Sequence, residues 1–179
     1  MAKSPLPSID QIRQLIRLDR NTGRLYWLPR SPSQFEGSNE RICRTWNARY
    51  ADQPALNNKR VQGYLGGSLL GQYIAAHRVV WALAYGAWPE KFIDHINHDR
   101  ADNRLSNLRL VSNQENCRNQ RLGKSNVSGS VGVYWVPAEN KWKAKIGHDH
   151  LGTFSSKSDA IAARKKAEAS YGFHINHGK

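Results

Sequence analysis

With 27 Lys and Arg against 14 Asp and Glu, this 179-residue chain carries a net charge of +13 and a pI near 10.1. That length holds one ordinary domain or two to three small ones, and the charge calls for a polyanionic partner. No apolar run approaches a membrane span, MAKSPLPSID lacks a signal-peptide core, and Cys43 and Cys117 form no Cys-x-x-Cys, so a membrane protein, a disulfide scaffold and a structural zinc site are set aside in favour of a reducing cytoplasm.

In chain order, Ser8 to Leu18 reads as a short amphipathic helix. Ser8 and Gln11 form a capping box, and Ile9, Ile12, Leu15 and Ile16 share one face. Asp19 to Gly23 is a turn and Arg24 to Leu28 a strand. Residues 29–60 are polar and rich in Arg and Asn, with Trp46 and Tyr50 among them. They read as a solvated loop or as an arm that reaches DNA phosphates. Tyr64-Leu65 and Gln72-Tyr73-Ile74 suggest a hairpin turning at Gly66-Gly67-Ser68 or at Gly71. A helix follows from about Ala76 to Tyr85, with Gly86 as its stop and His77 at its start. His77 is read as a satisfied helix-start histidine, with a direct site role as the alternative.

The centre of the chain is IDHINHDRADNRLSNLRLVSNQENCRN, residues 93–119. Few of these residue types are good core residues, so a polar site is expected here. Asp94 and His95 sit in a short strand pattern, and Asn107 precedes a second one, Leu108 to Val111. Ser112 and Glu115 form a capping box that opens a helix bearing Asn116. The local reading is strand, polar loop, strand, helix. Charge follows the same division: +6 over residues 1–60, +2 over 61–123 and +5 over 124–179. A nearly neutral centre holds the acids a cation needs, and the basic flanks supply the grip on a backbone.

On these residues the chain resembles the HNH nuclease family, the ββα-metal unit of many homing and phage endonucleases. His95, Asn107 and Asn116 match, with Asn in place of the second His. The flanks HRVVW at 77–81, Gly86-Ala87-Trp88-Pro89, IDHIN and DNRLSNLR match as well. The resemblance spans about residues 62–120. It implies a metal-dependent endonuclease that nicks or cuts double-stranded DNA. By that resemblance His95 is the general base, Asn107 braces the loop and orients His95, and Asp94 and Asn116 hold one Mg²⁺ or Mn²⁺. The chemistry suits these groups. Imidazole titrates near neutrality, and a hard cation with oxygen ligands compensates charge on the phosphate. His95 and His98 as transition-metal ligands form a rival reading that no Cys supports. Asp99 and Asp102 read as loop formers, and Arg104 and Arg109 as phosphate contacts or partners of nearby acids.

GKSNVSGS, residues 123–130, reads as a linker. Three strands follow: Val131 to Val136, Lys141 to Ile146 and Leu151 to Phe154. A helix from Ser158 to Tyr171 brings Ala160, Ile161, Ala163, Ala167 and Tyr171 to cover the sheet. GVYW, KWKAKI, LGTF and the Ala-rich helix resemble the ethylene-response-factor type DNA-binding domain. Val131 replaces the Arg usual there, and GHDH is shorter than the usual basic turn. Lys141, Lys143 and Lys145, with Tyr134 and Trp135 nearby, are the expected contacts to phosphate and sugar. The expectation is therefore an α+β, small multidomain chain. It comprises a basic N-terminal region (1–60), a central ββα nuclease domain (61–122), and a linker with a three-stranded sheet plus helix (123–179). Double-stranded DNA is the partner, no membrane is involved, and the host cytoplasm is the location. A monomer is expected, with a dimer open. The rival classes are a DNA-binding protein on the same scaffold without turnover, and an RNA-binding accessory factor.

Overall fold

A computed structural model describes residues 5–117, 122–123, 125–173 and 177–178. The chain divides into two compact units, residues up to 110 and residues from 111 onward. It is α+β throughout.

The first unit opens with helix α1, Ile9–Arg13. The capping box is formed: Gln11 N donates to Ser8 Oγ at 3.1 Å and Ser8 N to Gln11 Oε1 at 2.8 Å. The helix is shorter than its apolar pattern predicts. Strand β1, Ile16–Asp19, takes its second half and pairs antiparallel with β2, Arg24–Trp27, from Ile16 opposite Trp27 to Asp19 opposite Arg24. Ile12, Leu15 and Ile16 are buried either way, so the ladder to β2 decides. Asp19 builds the turn, its carboxylate accepting from Asn21 N at 2.9 Å and Thr22 Oγ1 at 2.7 Å. These bonds hold its pKa below the usual carboxylate value.

The polar stretch expected to be a loop contains an 11-residue helix, α2, Glu40–Tyr50. Asn39 caps it by accepting from Ile42 N at 3.0 Å. Its inward face is Cys43, Trp46 and Asn47, with one small hydrophobe among them, so an apolar-stripe pattern misses it. Cys43 is buried, as expected of a small apolar residue; the Cys117 side chain lies outside the described part.

Next comes a sheet in the order β3 (Asn58–Lys59), β4 (Leu65–Leu69), β5 (Gln72–Ala75). The hairpin turns at Leu70 and Gly71, both with positive φ. Gly66 and Gly67 therefore lie within β4, where a Cβ on Gly66 would stand 2.3 Å from the Tyr73 hydroxyl and 2.8 Å from the Ile74 carbonyl. Helix α3, Ala76–Tyr85, ends at Gly86 in the left-handed conformation, as its sequence predicts. Strand β6, Phe92–His95, pairs with β7, Leu108–Val111. One core ties these elements together. Ile12, Ile16, Leu25, Leu56, Leu69, Ile74, Val79, Val80 and Leu108 are all buried in it, and each such side chain removed from water contributes about 1.5–3 kcal/mol.

In the second unit, Ser112 and Glu115 close the predicted capping box and start the short helix α4, Asn113–Cys117. The stretch predicted as a linker is hydrogen-bonded rather than loose over Asn126 to Ser130; Lys124 lies outside the described residues. Asn126 Oδ1 accepts from Gly129 N at 2.7 Å, and buried Ser128 donates to Ser130 O at 2.8 Å. A three-stranded antiparallel sheet follows in the order β10 (Asp149–Phe154), β9 (Lys141–Ile146), β8 (Val133–Val136). Helix α5, Lys157–Ser170, packs on it through Ala160 and Ile161. Arg164 was not among the residues expected to cover the sheet, yet it is 2% exposed. It donates to the Lys145 carbonyl at 2.7 Å and to Glu168 at 2.9 Å, so a buried charge docks the helix with both ends satisfied.

Candidate active site

The loop between β6 and β7 is built by amide and carboxylate side chains. Asn107 is 6% exposed and braces it from inside. Its Oδ1 accepts from Asn97 N at 2.9 Å, its Nδ2 donates to the Asp102 carbonyl at 2.8 Å, and its own carbonyl accepts from Ile96 N at 2.9 Å. Asp99 Oδ1 accepts from Ala101 N at 3.0 Å in an Asx turn. Asp102 takes Arg104 Nε at 2.9 Å and Nη2 at 2.6 Å, which holds its carboxyl down at about 2. Asp99 and Asp102 are thus loop formers, and Arg104 pairs with an acid rather than reaching out alone.

Asp94 and His95, adjacent on β6, have separate neighbours, as strand alternation requires. Asp94 is 8% exposed, and its Oδ2 accepts from Arg109 Nη2 at 2.8 Å and Nε at 3.0 Å. Arg109, on β7, therefore neutralises and aims that carboxylate. His95 is 3% exposed. Its Nε2 lies 3.0 Å from Asn103 Oδ1. An amide oxygen only accepts, so Nε2 carries the proton and the lone pair sits on Nδ1.

The expected partner of His95 was Asn107; the bond shown here comes from Asn103, with Asn107 acting on the loop backbone. Asn103 is 4% exposed, and sequence reasoning missed it. Its place in the Asp-x-x-Asp-Asn stretch, residues 99–103, reads as turn chemistry and gives no separate signal of a site role. Two more residues were missed or undervalued. The His77 ring meets His95 edge-on with centroids 5.3 Å apart, and Tyr64 lies 5.3 Å from His77 and 5.7 Å from His95. His77 is more than a helix-start residue, because it walls the imidazole. Among the described residues its buried Nδ1 has no hydrogen-bond partner.

Burial, chiefly, then the neighbouring His95 and Arg78, pushes His77 down to about 3. His95 is also lowered by burial, with Asn103 and three nearby carboxylates pulling the other way. Both rings are neutral at pH 7. A histidine with a depressed folded-state pKa contributes stability that is full above about 6.5 and is lost as pH falls toward the folded value. Urea unfolding between pH 7.5 and 5 is expected to lose up to about 1.4 kcal/mol per pH unit for each such histidine. His77→Phe, which fits a ring with an unsatisfied nitrogen, is expected to fold and to flatten that dependence. An unchanged slope in the variant contradicts a neutral, buried His77.

Asn116 lies on α4 in the second unit, half-buried, its N–H donating to Ser112 O at 3.0 Å. Among the described residues no cluster of three or more His, Cys, Asp or Glu is placed to hold a metal ion.

In the C-terminal sheet Lys141, Lys143, Lys145 and Tyr134 share the face opposite α5, since Tyr134 pairs with Lys143 and Val136 with Lys141. Lys143 contacts Glu139, Lys141 donates to Ser155, and Lys145 lies over the Tyr134 ring at 5.9 Å. Trp135 does not belong to that face. It pairs with Trp142, and their rings meet at 5.3 Å on the opposite side of the sheet.

Residues 74–118, from β5 through the Asp94–His95 strand and the braced loop, match the family described as HNH endonuclease. That segment is similar to HNH endonucleases. Protein 3.8 of Escherichia phage T7 is 37% identical to this chain over 71 residues, which are 39% of this chain and 59% of that protein. The HNH homing endonuclease I-HmuI, in a solved structure concerned with its DNA binding and cleavage, is 20% identical with a TM-score of 0.40, over 64% of this chain and 56% of that one. The chain thus spans under two thirds of the length of either. Among the described residues no helix is long and apolar enough to cross a membrane.

Proposed function

We propose that the chain is a metal-dependent HNH endonuclease that hydrolyses phosphodiester bonds in double-stranded DNA. What carries the reading is the pairing of two adjacent residues with dedicated partners inside the HNH segment: Asp94 with Arg109, and His95 with Asn103. Asn103 fixes the orientation of the imidazole, and Arg109 fixes that of the carboxylate. Asn103 directs the imidazole lone pair to Nδ1, from which His95 takes a proton from the attacking water. Low basicity leaves the ring unprotonated and ready at pH 7. Asp94 and Asn116 would offer hard oxygen donors to one Mg²⁺ or Mn²⁺, and that cation would supply Lewis-acid compensation of the phosphate charge. Asn107 holds the loop that carries His95 and Asn103 in register. One such site breaks one strand per encounter, so nicking is the default product of a monomer. The +13 charge supports a DNA partner, and the C-terminal module, resembling an ethylene-response-factor type domain, supplies part of the grip through Lys141, Lys143 and Lys145. Arg104 and Arg109 act first on Asp102 and Asp94 and face phosphate second. The phage relative fits work in a host cytoplasm.

A second reading draws on one observation. His95 at 3% exposure, walled by Tyr64 and His77, meets little water in the free chain, which favours a DNA-binding scaffold without turnover. Supercoiled plasmid incubated with the full chain and Mg²⁺ or Mn²⁺ separates the two. Conversion to open circle that chelator abolishes, and that Asp94→Asn abolishes, is the expected result. Tight binding with no conversion under either ion establishes the scaffold instead. The Lys141→Ala/Lys143→Ala/Lys145→Ala variant is expected to bind DNA more weakly and to flatten log K against log salt by about 0.9 for each phosphate no longer neutralised. An unchanged slope removes the sheet face from the interface.

A further inference from the structure

Helix α2 presents a surface that the nuclease site does not use. Its inner face is fastened to the strand end after β2 by a reciprocal pair of bonds. Arg30 N donates to Asn47 Oδ1 at 2.8 Å, and Asn47 Nδ2 donates to Arg30 O at 2.8 Å. Cys43 Sγ reaches the same carbonyl at 3.1 Å. The Arg30 guanidinium stacks 4.0 Å from the Trp46 ring, and Trp46 also meets Trp27 at 5.9 Å and Tyr50 at 5.3 Å. A helix locked this tightly from one side is a rigid platform for the other.

The outer side is Arg41, Arg44, Thr45 and Ala48, spaced i, i+3, i+4, i+7, with Arg49 beside them, and all five are exposed. None of the ion pairs among the described residues engages Arg41, Arg44 or Arg49. The pattern is specific in a way that a solubilising face is not. Arginines flank a centre of two small side chains, so the helix backbone can come close to a surface while guanidinium forks reach past it. Eleven residues give a rod about 16 Å long. The major groove of B-DNA is about 12 Å wide and admits one helix. Arg pairs bidentately with guanine O6 and N7, and the methyl groups of Thr and Ala suit the thymine methyl.

We propose that α2 lies in the DNA major groove and reads base edges through Arg41, Arg44 and Thr45, with Ala48 setting the depth of approach. This rests on double-stranded DNA being the partner; it adds where sequence preference is read. Phosphate contacts alone would position without specifying.

The test enriches bound duplexes from a randomised pool with the full chain carrying His95→Ala, so that binding is read without cleavage. The parent is expected to enrich a motif. Arg41→Ala/Arg44→Ala and, separately, Ala48→Phe alter only exposed positions and keep the helix face that packs. The double variant is expected to lose at least tenfold in affinity for the motif and to erase its preference over a few contiguous base pairs. Ala48→Phe, with charge unchanged, is expected to lose the same preference. If affinity falls while the motif stays intact, α2 contacts backbone only and the groove reading is overturned. An unchanged motif and affinity overturn it too. Plasmid nicking by the native chain is scored in parallel. Nicking and duplex binding by the native chain, with variants indistinguishable from it, sink α2 alone. No duplex binding, or preference for RNA, sinks the DNA reading together with it.

Discussion

His95→Ala is expected to lower the rate of plasmid nicking by about 10²–10⁴-fold, the range that positioned acid–base groups supply. Its affinity for duplex DNA should stay within a factor of a few, because the residue is buried and does not contribute to the charged surface. Deleting a buried ring also opens a cavity and leaves Asn103 unpaired, so the variant is expected to lose some stability. His95→Gln is the control. It retains polar atoms and most of the volume, and a base role requires it to be as inactive as Ala. If the glutamine chain nicks at near-native rate, His95 is structural. The pH profile of the native chain gives a second readout. A base acts when unprotonated, and burial holds this ring below 6.5, so activity is expected to persist below pH 6.5 and to fall only further into acid. An acid limb centred above 6.5 contradicts the burial seen around the ring.

Gly23→Ala is expected to be among the most damaging small substitutions at the described residues. Gly23 has φ +68, and a Cβ there would stand 2.2 Å from the Asn103 carbonyl oxygen and 2.5 Å from Arg104 N. The β1–β2 turn therefore presses backbone to backbone against the loop that presents Asn103 to His95. Neither backbone is the free end of a flexible side chain, so one of them must move. Left-handed strain costs about 1–2 kcal/mol for a residue with a Cβ, and the steric term adds to it. A total above about 3 kcal/mol is expected, with nicking reduced even well below the lowered Tm because Asn103 shifts. Gly37→Ala separates the two terms. Gly37 has φ +65 with nothing within 4 Å of its virtual Cβ, so it reports the conformational cost alone. Equal loss of stability in the two variants, with nicking retained, would show that the hairpin does not buttress the site.

The Gly23 contact also shows where sequence reading stops. The chain order of strand, loop, strand and capped helix around Asp94, His95, Asn107 and Asn116 was legible, because each signal there is local. β-Strand alternation, Asx turns and the Ser112–Glu115 box act over two to four residues. Helix α3 and its stop at Gly86 were legible for the same reason. Helix α2 was not, because two of the three residues on its inner face are an indole and an amide, and their value comes from Arg30 on another segment. The second half of the predicted first helix became β1, because the cross-strand partner lies eleven residues on, at Trp27.

The sequence by itself determined that a polar, carboxylate- and imidazole-bearing unit sits between two basic flanks, and that the last third is a basic sheet backed by a helix. Tertiary structure alone decided which amide faces His95, that Arg109 aims Asp94, that His77 and Tyr64 wall the ring, and that Trp135 lies away from the lysine face. The reason is physical. Hydrogen bonding and burial depend on which side chains meet in space, whereas period and capping depend only on neighbours along the chain.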